Sequence, residues 1–229
     1  MCTNYKAPDE DPGINELKIG IGDLFRREPW DVDVWPDYRA PVILPDGDGS
    51  LVEIGVFGFW PKFIQPDRVD DKGKKLKKFD TVNARGEDVA EKRLYKRAWH
   101  DGQRCLIPAR YVVEPSYPHA TSTAGGGWDR GSCVWQRIGV ADWQAYCVAG
   151  IWRRYQGDDG RVLIGITMLT LNADEHPLFR RMHRPDDEKR GVVILRPADY
   201  DEWLHTKNVE AARTLLQLYP ADEMVAGPK

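Results

Sequence analysis

Short stretches in which β-branched and aromatic side chains occupy alternate positions recur along this chain, and they constrain its fold more than any other feature. They predict strands at Val42–Leu44, Leu51–Phe59, Arg104–Val113, Val134–Ile138, Tyr146–Trp152, Val162–Leu171 and Val192–Leu195, since a period of two gathers apolar residues on one face of an extended segment. Helical spacing is confined to Asn15–Arg27, Glu87–Ala98, Ala198–Leu204 and Glu210–Leu218. The second of these starts acidic and ends basic, as a helix dipole favours. Strands dominate and no βαβ rhythm connects them, so an α+β fold with a mainly antiparallel sheet is expected.

With 229 residues, 41% of them hydrophobic and including nine Trp and nine Tyr, the chain can bury one sizeable core. A single domain over residues 1–229 is expected. The loop-like stretches Pro45–Ser50, Asp71–Lys75, Ser116–Gly131 (with its Gly125–Gly127 run) and Gln156–Gly160 do not divide it into halves, and the segment after Tyr219, about residues 220–229, reads as a frayed tail. No apolar run reaches the ~20 residues that span a bilayer, and the start is acidic (Asp9, Glu10, Asp11) rather than basic and apolar, which points to a soluble, cytoplasmic protein. Cys2, Cys105, Cys133 and Cys147 show no metal-ligand spacing, so neither a disulfide scaffold nor a metal site is expected. No cofactor is called for.

A net charge of -3 does not announce a nucleic-acid partner, so any such role rests on local patches. Lys72, Lys74, Lys75, Lys77 and Lys78 crowd one loop, and Arg93, Lys96 and Arg97 follow. A solvated loop and a solvated helix face are the plain alternative.

The chemistry begins at Met1–Cys2. Removal of an initiator Met before a small side chain would leave Cys2 as a 1,2-aminothiol, with an amine of reference pKa ~8 and a thiol of ~8.5. An aldehyde can condense with that amine to an imine, and the thiol can then close a five-membered thiazolidine ring. An ordinary cysteine that happens to stand second is the alternative. Asn83 and Arg85 occupy alternate positions of one extended segment and so face one side. Arg85 offers a donor fork suited to phosphate and Asn83 can orient a polar neighbour, although a helix cap with a surface ion pair would use the same residues. Glu114 ends the apolar run Cys105–Val113, where a partly buried carboxyl would titrate high enough for acid/base work; a strand-end salt bridge is its alternative. His183, in Arg180–Pro185, suits proton shuttling, with His176 as a competing candidate.

These pieces fall in one order: Met1–Cys2, Phe57–Pro61, Asn83–Glu87, Arg97–Trp99, Arg104–Glu114, Ala149–Trp152, Thr167–Thr170 and His183–Leu195. The ordered set, which covers nearly the whole chain, resembles the SOS-response-associated peptidase (SRAP) family. The resemblance implies a β-rich pseudo-barrel with flanking helices and a groove for single-stranded DNA at a junction with duplex. It further implies that Cys2 crosslinks to abasic sites, that Asn83 positions the N-terminal amine, that Arg85 holds a phosphate, and that Glu114 serves imine formation and autoproteolytic exposure of the N-terminus. His183 would assist proton transfer at the deoxyribose, Arg190 would join the DNA-binding set, and Trp60, Pro61 and Phe63 resemble an apolar wedge that stacks against bases, with core packing as the alternative for Trp60. By the same likeness the protein would act as a monomer, nucleoid-associated when bound to DNA, with possible lyase activity.

Two departures from the family pattern stand out. Thr3 and Asn4 follow Cys2 where Gly–Arg is common, which leaves Arg39 or the lysine loop to supply a phosphate contact. The usual His–x–Arg–Met–Pro run is restored only by reading His183 and Arg190 around a short acidic insertion, Asp186, Asp187 and Glu188. Two readings of other classes stay open: a cysteine peptidase acting on other proteins, with Cys2 as nucleophile and His183 as base, and a noncovalent reader of modified DNA in which Trp60 and Arg85 recognise a flipped nucleotide.

Overall fold

The computed structural model describes residues 2–9, 21–123, 127–129, 131–157 and 160–229. Among them the strands are β1 (Asn4–Lys6), β2 (Asp33–Val34), β3 (Arg39–Asp46), β4 (Gly49–Phe57), β5 (Asn83–Arg85), β6 (Arg104–Ala109), β7 (Tyr111–Ser116) and β8 (Thr121–Ser122). They continue with β9 (Trp128–Asp129), β10 (Val134–Val140), β11 (Tyr146–Gln156), β12 (Val162–Asn172), β13 (Arg190–Val192), β14 (Ile194–Leu195) and β15 (Met224–Pro228). The helices α1 (Ile21–Arg27), α2 (Lys96–His100), α3 (Tyr200–His205) and α4 (Val209–Thr214) are short.

Five strands close on themselves. β12 pairs with β4 in parallel, β4 with β3, β3 with β6, β6 with β11, and β11 with β12 again, the last four pairings antiparallel. A second sheet, ordered β15-β10-β7-β1-β2, lies beside this barrel. The fold is therefore the β-rich, mainly antiparallel pseudo-barrel with flanking helices.

Alternation decides which core each residue joins. Val42, Leu44, Cys105, Ile107, Val148, Ile166 and Met168 pack with Cys2 and Tyr5 in one cluster. Their neighbours Ile43, Leu106, Cys147, Ala149 and Leu169 pack with Trp99, Tyr200 and Trp203 from the helical side in the other. Both faces of these strands are thus covered, which is why they read as nearly unbroken apolar runs.

Four expectations are corrected. Arg104–Val113 is two strands: the Arg110 amide donates to the Lys6 carbonyl at 2.8 Å, and the chain passes there from the barrel into the second sheet. Glu87–Ala98 is mostly a series of turns, with a regular helix only at α2; the Glu87 carboxylate, placed to start a helix, instead accepts from the Asn172 amide at 2.6 Å. The segment after Tyr219 is not frayed, because β15 pairs with β10 from Gln136↔Pro228 to Val140↔Met224 and the Lys229 ammonium reaches the Asn4 side chain at 2.7 Å. Likewise Val192–Leu195 divides between β13 and β14, which pair with β12 and β11. Of the expected helix Asn15–Arg27, only Ile21–Arg27 falls within the described residues and is helical, and the Gly125–Gly127 run lies largely outside them.

Candidate functional site

β1 fixes the N-terminal segment by entering the middle of the second sheet, with Asn4 opposite Val113 and Tyr5 opposite Val112 on β7 and opposite Val34 on β2. Cys2 follows from that anchorage: it is fully buried, with its thiol directed at the Asn4 carbonyl at 3.2 Å. Burial pushes the thiol well above its ordinary range, and the neighbouring Glu114 carboxylate adds to the shift.

Asn83 reaches the same point from the barrel. β5 lies parallel to β12 with Asn83 opposite Met168, and the Asn83 side-chain amide donates to the Cys2 carbonyl at 2.6 Å. The Tyr95 hydroxyl donates to the Asn83 carbonyl at 3.3 Å. Arg85 sits two residues further along, half-exposed, with its guanidinium 2.6 Å from the Glu188 carboxylate.

Glu114 lies on β7 with 1% exposure. Burial pushes its carboxyl up to about 7, so near neutral pH both protonation states are populated. Its Oε2 lies 3.6 Å from His183 Nε2. His183 is held there by an isolated bridge between Ser116 and Met182 and by its own amide, which donates to the Pro115 carbonyl at 2.6 Å. Its backbone takes φ of 62°, a left-handed conformation that non-glycine residues adopt at a cost and that clusters at functional sites. Burial drives the imidazole down to about 4, so it is neutral at pH 7, and Nε2–H faces the Arg190 carbonyl at 3.3 Å. The contact with Glu114 is therefore the close approach of a neutral imidazole and not an ion pair.

His176 is employed elsewhere. Its Nδ1 accepts from the Phe179 amide at 3.1 Å and its Nε2 lies 2.9 Å from the Tyr219 carbonyl, an arrangement that staples the 3-10 turn Phe179–Arg181 to the C-terminal segment.

Arg190, expected at the DNA, is 3% exposed. Its guanidinium meets Glu87 at 2.7 and 3.0 Å, Glu188 at 2.9 Å and the Thr170 carbonyl at 2.7 Å. This suits a strut behind Arg85 better than a direct phosphate contact. Arg39 is paired with Glu28 at 2.7 Å, and Lys75 and Lys78 of the basic loop stand near Asp67 at 3.4 and 3.6 Å.

Of the three wedge residues, Trp60 lines a groove and Phe63 a separate hollow. Trp60 stacks on Phe79 with ring centroids 6.2 Å apart, Pro61 begins the turn Lys62–Ile64, and Phe63 is 57% exposed. An open groove of about 780 Å³ is lined by Trp60, Phe79, Thr81, Arg93, Tyr95 and Arg153 among others. Tyr95 of this lining is the residue whose hydroxyl donates to the Asn83 carbonyl. Among the described residues, no group of His, Cys, Asp and Glu could hold a metal ion, and no helix is long and apolar enough to cross a membrane.

Sequence reading thus located Cys2, Asn83, Glu114 and His183, which the fold brings together. It missed Tyr5 and Tyr146, whose phenols burial pushes well up beside Cys2, and it missed Tyr95 and Glu188. Tyr5 and Tyr146 carry no local signal, whereas the acidic insertion containing Glu188 was visible but had no partner assigned.

A family model described as "SOS response associated peptidase (SRAP)" matches residues 1–228. The crystal structure of a protein from Bordetella bronchiseptica is similar over 100% of this chain and 99% of its own, at 29% identity and a TM-score of 0.74. A protein from Bacteroides thetaiotaomicron shares the fold at 16% identity, covering 99% of this chain and 91% of its own with a TM-score of 0.65. A phage-related protein of Bordetella bronchiseptica does so at 15% identity, 100% and 93% coverage and a TM-score of 0.61. No curated protein matches the chain.

Proposed function

The chain belongs to the SOS response associated peptidase family, and on that premise we propose that it captures abasic sites in single-stranded DNA covalently through Cys2 once Met1 has been removed. The observation that carries this reading is the meeting of Cys2 with Asn83 at 2.6 Å beside a buried Glu114 carboxyl that titrates at about 7.

Loss of Met1 turns the amide nitrogen of Cys2 into an amine. That amine attacks the aldehyde carbon of the ring-opened deoxyribose while Asn83 holds the Cys2 carbonyl in place. Protonated Glu114 gives its proton to the departing hydroxyl, water leaves and a protonated imine forms. The buried, protonated thiol then adds to the imine carbon and gives its proton to the Glu114 carboxylate, which restores the acid. One water is lost overall and the product is a thiazolidine. Because thiol and imine belong to the same residue, ring closure is intramolecular and strongly favoured over a bimolecular reaction. His183, neutral and 3.6 Å from Glu114, relays protons between that carboxyl and the sugar. Arg85 holds a phosphate, Arg190 braces it from behind, and Trp60, Pro61 and Phe63 contact bases, each stacked base being worth ~1–3 kcal/mol.

A peptidase acting on other proteins would need an exposed, activated thiolate. The Cys2 thiol is buried and pushed up instead, which suits a nucleophile that acts only after the imine has formed beside it.

Separate alanine substitutions of the two histidines test the proton relay. His183→Ala is expected to slow adduct formation with an abasic single-stranded oligonucleotide roughly tenfold, less than loss of a direct acid or base would give. His176→Ala is expected to leave that rate unchanged and to cost about 1–2 kcal/mol of stability through its lost hydrogen bonds. Slowing by the His176 change alone would overturn the assignment.

A further inference from the structure

Arg85, the residue read above as the phosphate ligand, already holds an anion. Its Nη2 stands 2.6 Å from Glu188 Oε2. The other carboxylate oxygen of Glu188 takes Arg190 Nη1 at 2.9 Å and the Asn172 side-chain Nδ2 at 3.4 Å. Donors from β5, from β13 and from the end of β12 therefore converge on one carboxylate. The backbone beside it is pinned too, since the Lys189 amide donates to Asp174 Oδ1 at 2.9 Å and the Lys189 carbonyl accepts from Ala173 at 2.8 Å. Glu188 belongs to the short acidic run that separates His183 from Arg190.

A carboxylate and a phosphate both present oxygen acceptors to a guanidinium fork, so they compete for it. We propose that Glu188 is an internal competitor for the phosphate seat at Arg85, which loosens the grip on intact single-stranded DNA. A backbone phosphate arriving at Arg85 must displace Glu188, or share the guanidinium with a second anion. Glu188 can yield with one oxygen while the other stays on Arg190 and Asn172, so the displacement is local. The consequence is short residence on undamaged DNA, with retention at lesions supplied by the covalent bond. This inference rests on reading Arg85 as a phosphate ligand.

The test uses the full chain carrying Cys2→Ala, so that binding stays reversible, with an undamaged fluorescein-labelled single-stranded oligonucleotide followed by anisotropy at several salt concentrations. Glu188→Gln retains the size and hydrogen-bonding capacity of the side chain. It is expected to tighten binding about two- to fivefold, the scale of one exposed ion pair, and to steepen the dependence of log K on log salt by about 0.7, the increment for one phosphate contact on a single strand. In an Arg85→Ala background the same substitution is expected to give no gain, which a general change of net charge would not explain. Unchanged affinity on Glu188→Gln, or an equal gain without Arg85, would overturn the proposal. Crosslinking of abasic DNA by the parent chain, measured in parallel, separates the two ideas. A crosslink with no effect of Glu188→Gln sinks the competitor alone, while the Arg85-dependent gain without a crosslink sinks covalent capture and leaves the competitor standing.

Discussion

Replacing Glu114 with Gln is expected to slow formation of the abasic-site adduct by about 10³-fold at pH 7, within the range for removing a general acid or base. Gln keeps the shape of the side chain and can still donate a hydrogen bond, but it can neither deliver a proton to the departing hydroxyl nor take one from the thiol. The parent rate should carry a titration near pH 7, where the carboxyl passes from acid to base, and that limb should vanish in the variant. Stability should move the opposite way. Burial raises the folded-state carboxyl from 4.5 to about 7, so folding favours its protonated form. The stability this gives is fully present below about pH 4.5 and is lost as pH rises through 7. Gln mimics the protonated state at every pH, so the variant should be the more stable of the two at pH 8 and should lose this advantage toward pH 5. Urea denaturation at both pH values checks the sign. A variant that crosslinks at the parent rate would remove Glu114 from the chemistry.

The second large effect lies in the frame around the groove. Gly165→Ala is expected to destabilise the protein by about 3 kcal/mol, at the upper end of overpacking penalties. A Cβ at this position of β12 would stand 2.5 Å from the Phe59 carbonyl oxygen and 2.8 Å from that of Gly58. Both are backbone atoms that cannot swing aside, unlike the end of a flexible side chain. The crossing is fixed by the Gly58 amide, which donates to the Ile166 carbonyl at 2.8 Å, and by the Phe59 amide, which donates to Thr81 at 3.0 Å. Gly58 itself takes φ of 146°, a conformation open to glycine. Pushing this crossing away from β12 would also displace Trp60 and Pro61, so weaker binding of undamaged single-stranded DNA should accompany the loss of stability. A change under about 0.5 kcal/mol, the scale of an innocuous surface substitution, would contradict the close approach.

The strands were legible because alternation survives even where both faces are buried. What alternation could not locate was the break at Arg110. The side chains run on without a glycine there, and only a backbone hydrogen bond to Lys6 marks the passage between sheets. β15 was hidden for a related reason: Val225–Ala226–Gly227–Pro228 has little strand character of its own and becomes extended because β10 offers an edge. The turns after Gly86 were misread as helix because the acidic start and basic end of Glu87–Ala98 suit a helix dipole, whereas in the fold Glu87 is drawn off to Asn172 and Arg190.

Of the site, Glu114 was the most legible residue, since a carboxyl at the end of an apolar run must be buried or break the strand. Its convergence with Cys2 could not be read, because it depends on β1 inserting between β7 and β2 across more than a hundred residues of sequence. The position of His183 depends on the same sheet, through its amide on Pro115. Arg190 illustrates the converse: the resemblance assigned it to the DNA, whereas two of the acceptors that bury it, Glu87 and Thr170, lie 103 and 20 residues away in sequence.

The central claim is covalent capture through Cys2, and denaturing electrophoresis tests it most directly. Protein whose N-terminal mass shows loss of Met1 is mixed with single-stranded DNA bearing one abasic site, beside Cys2→Ala and an oligonucleotide lacking the lesion. The account predicts a heat-stable adduct that needs both the lesion and Cys2. Correctly processed protein that forms no such adduct, or a Cys2→Ala variant that still forms it, would contradict the account.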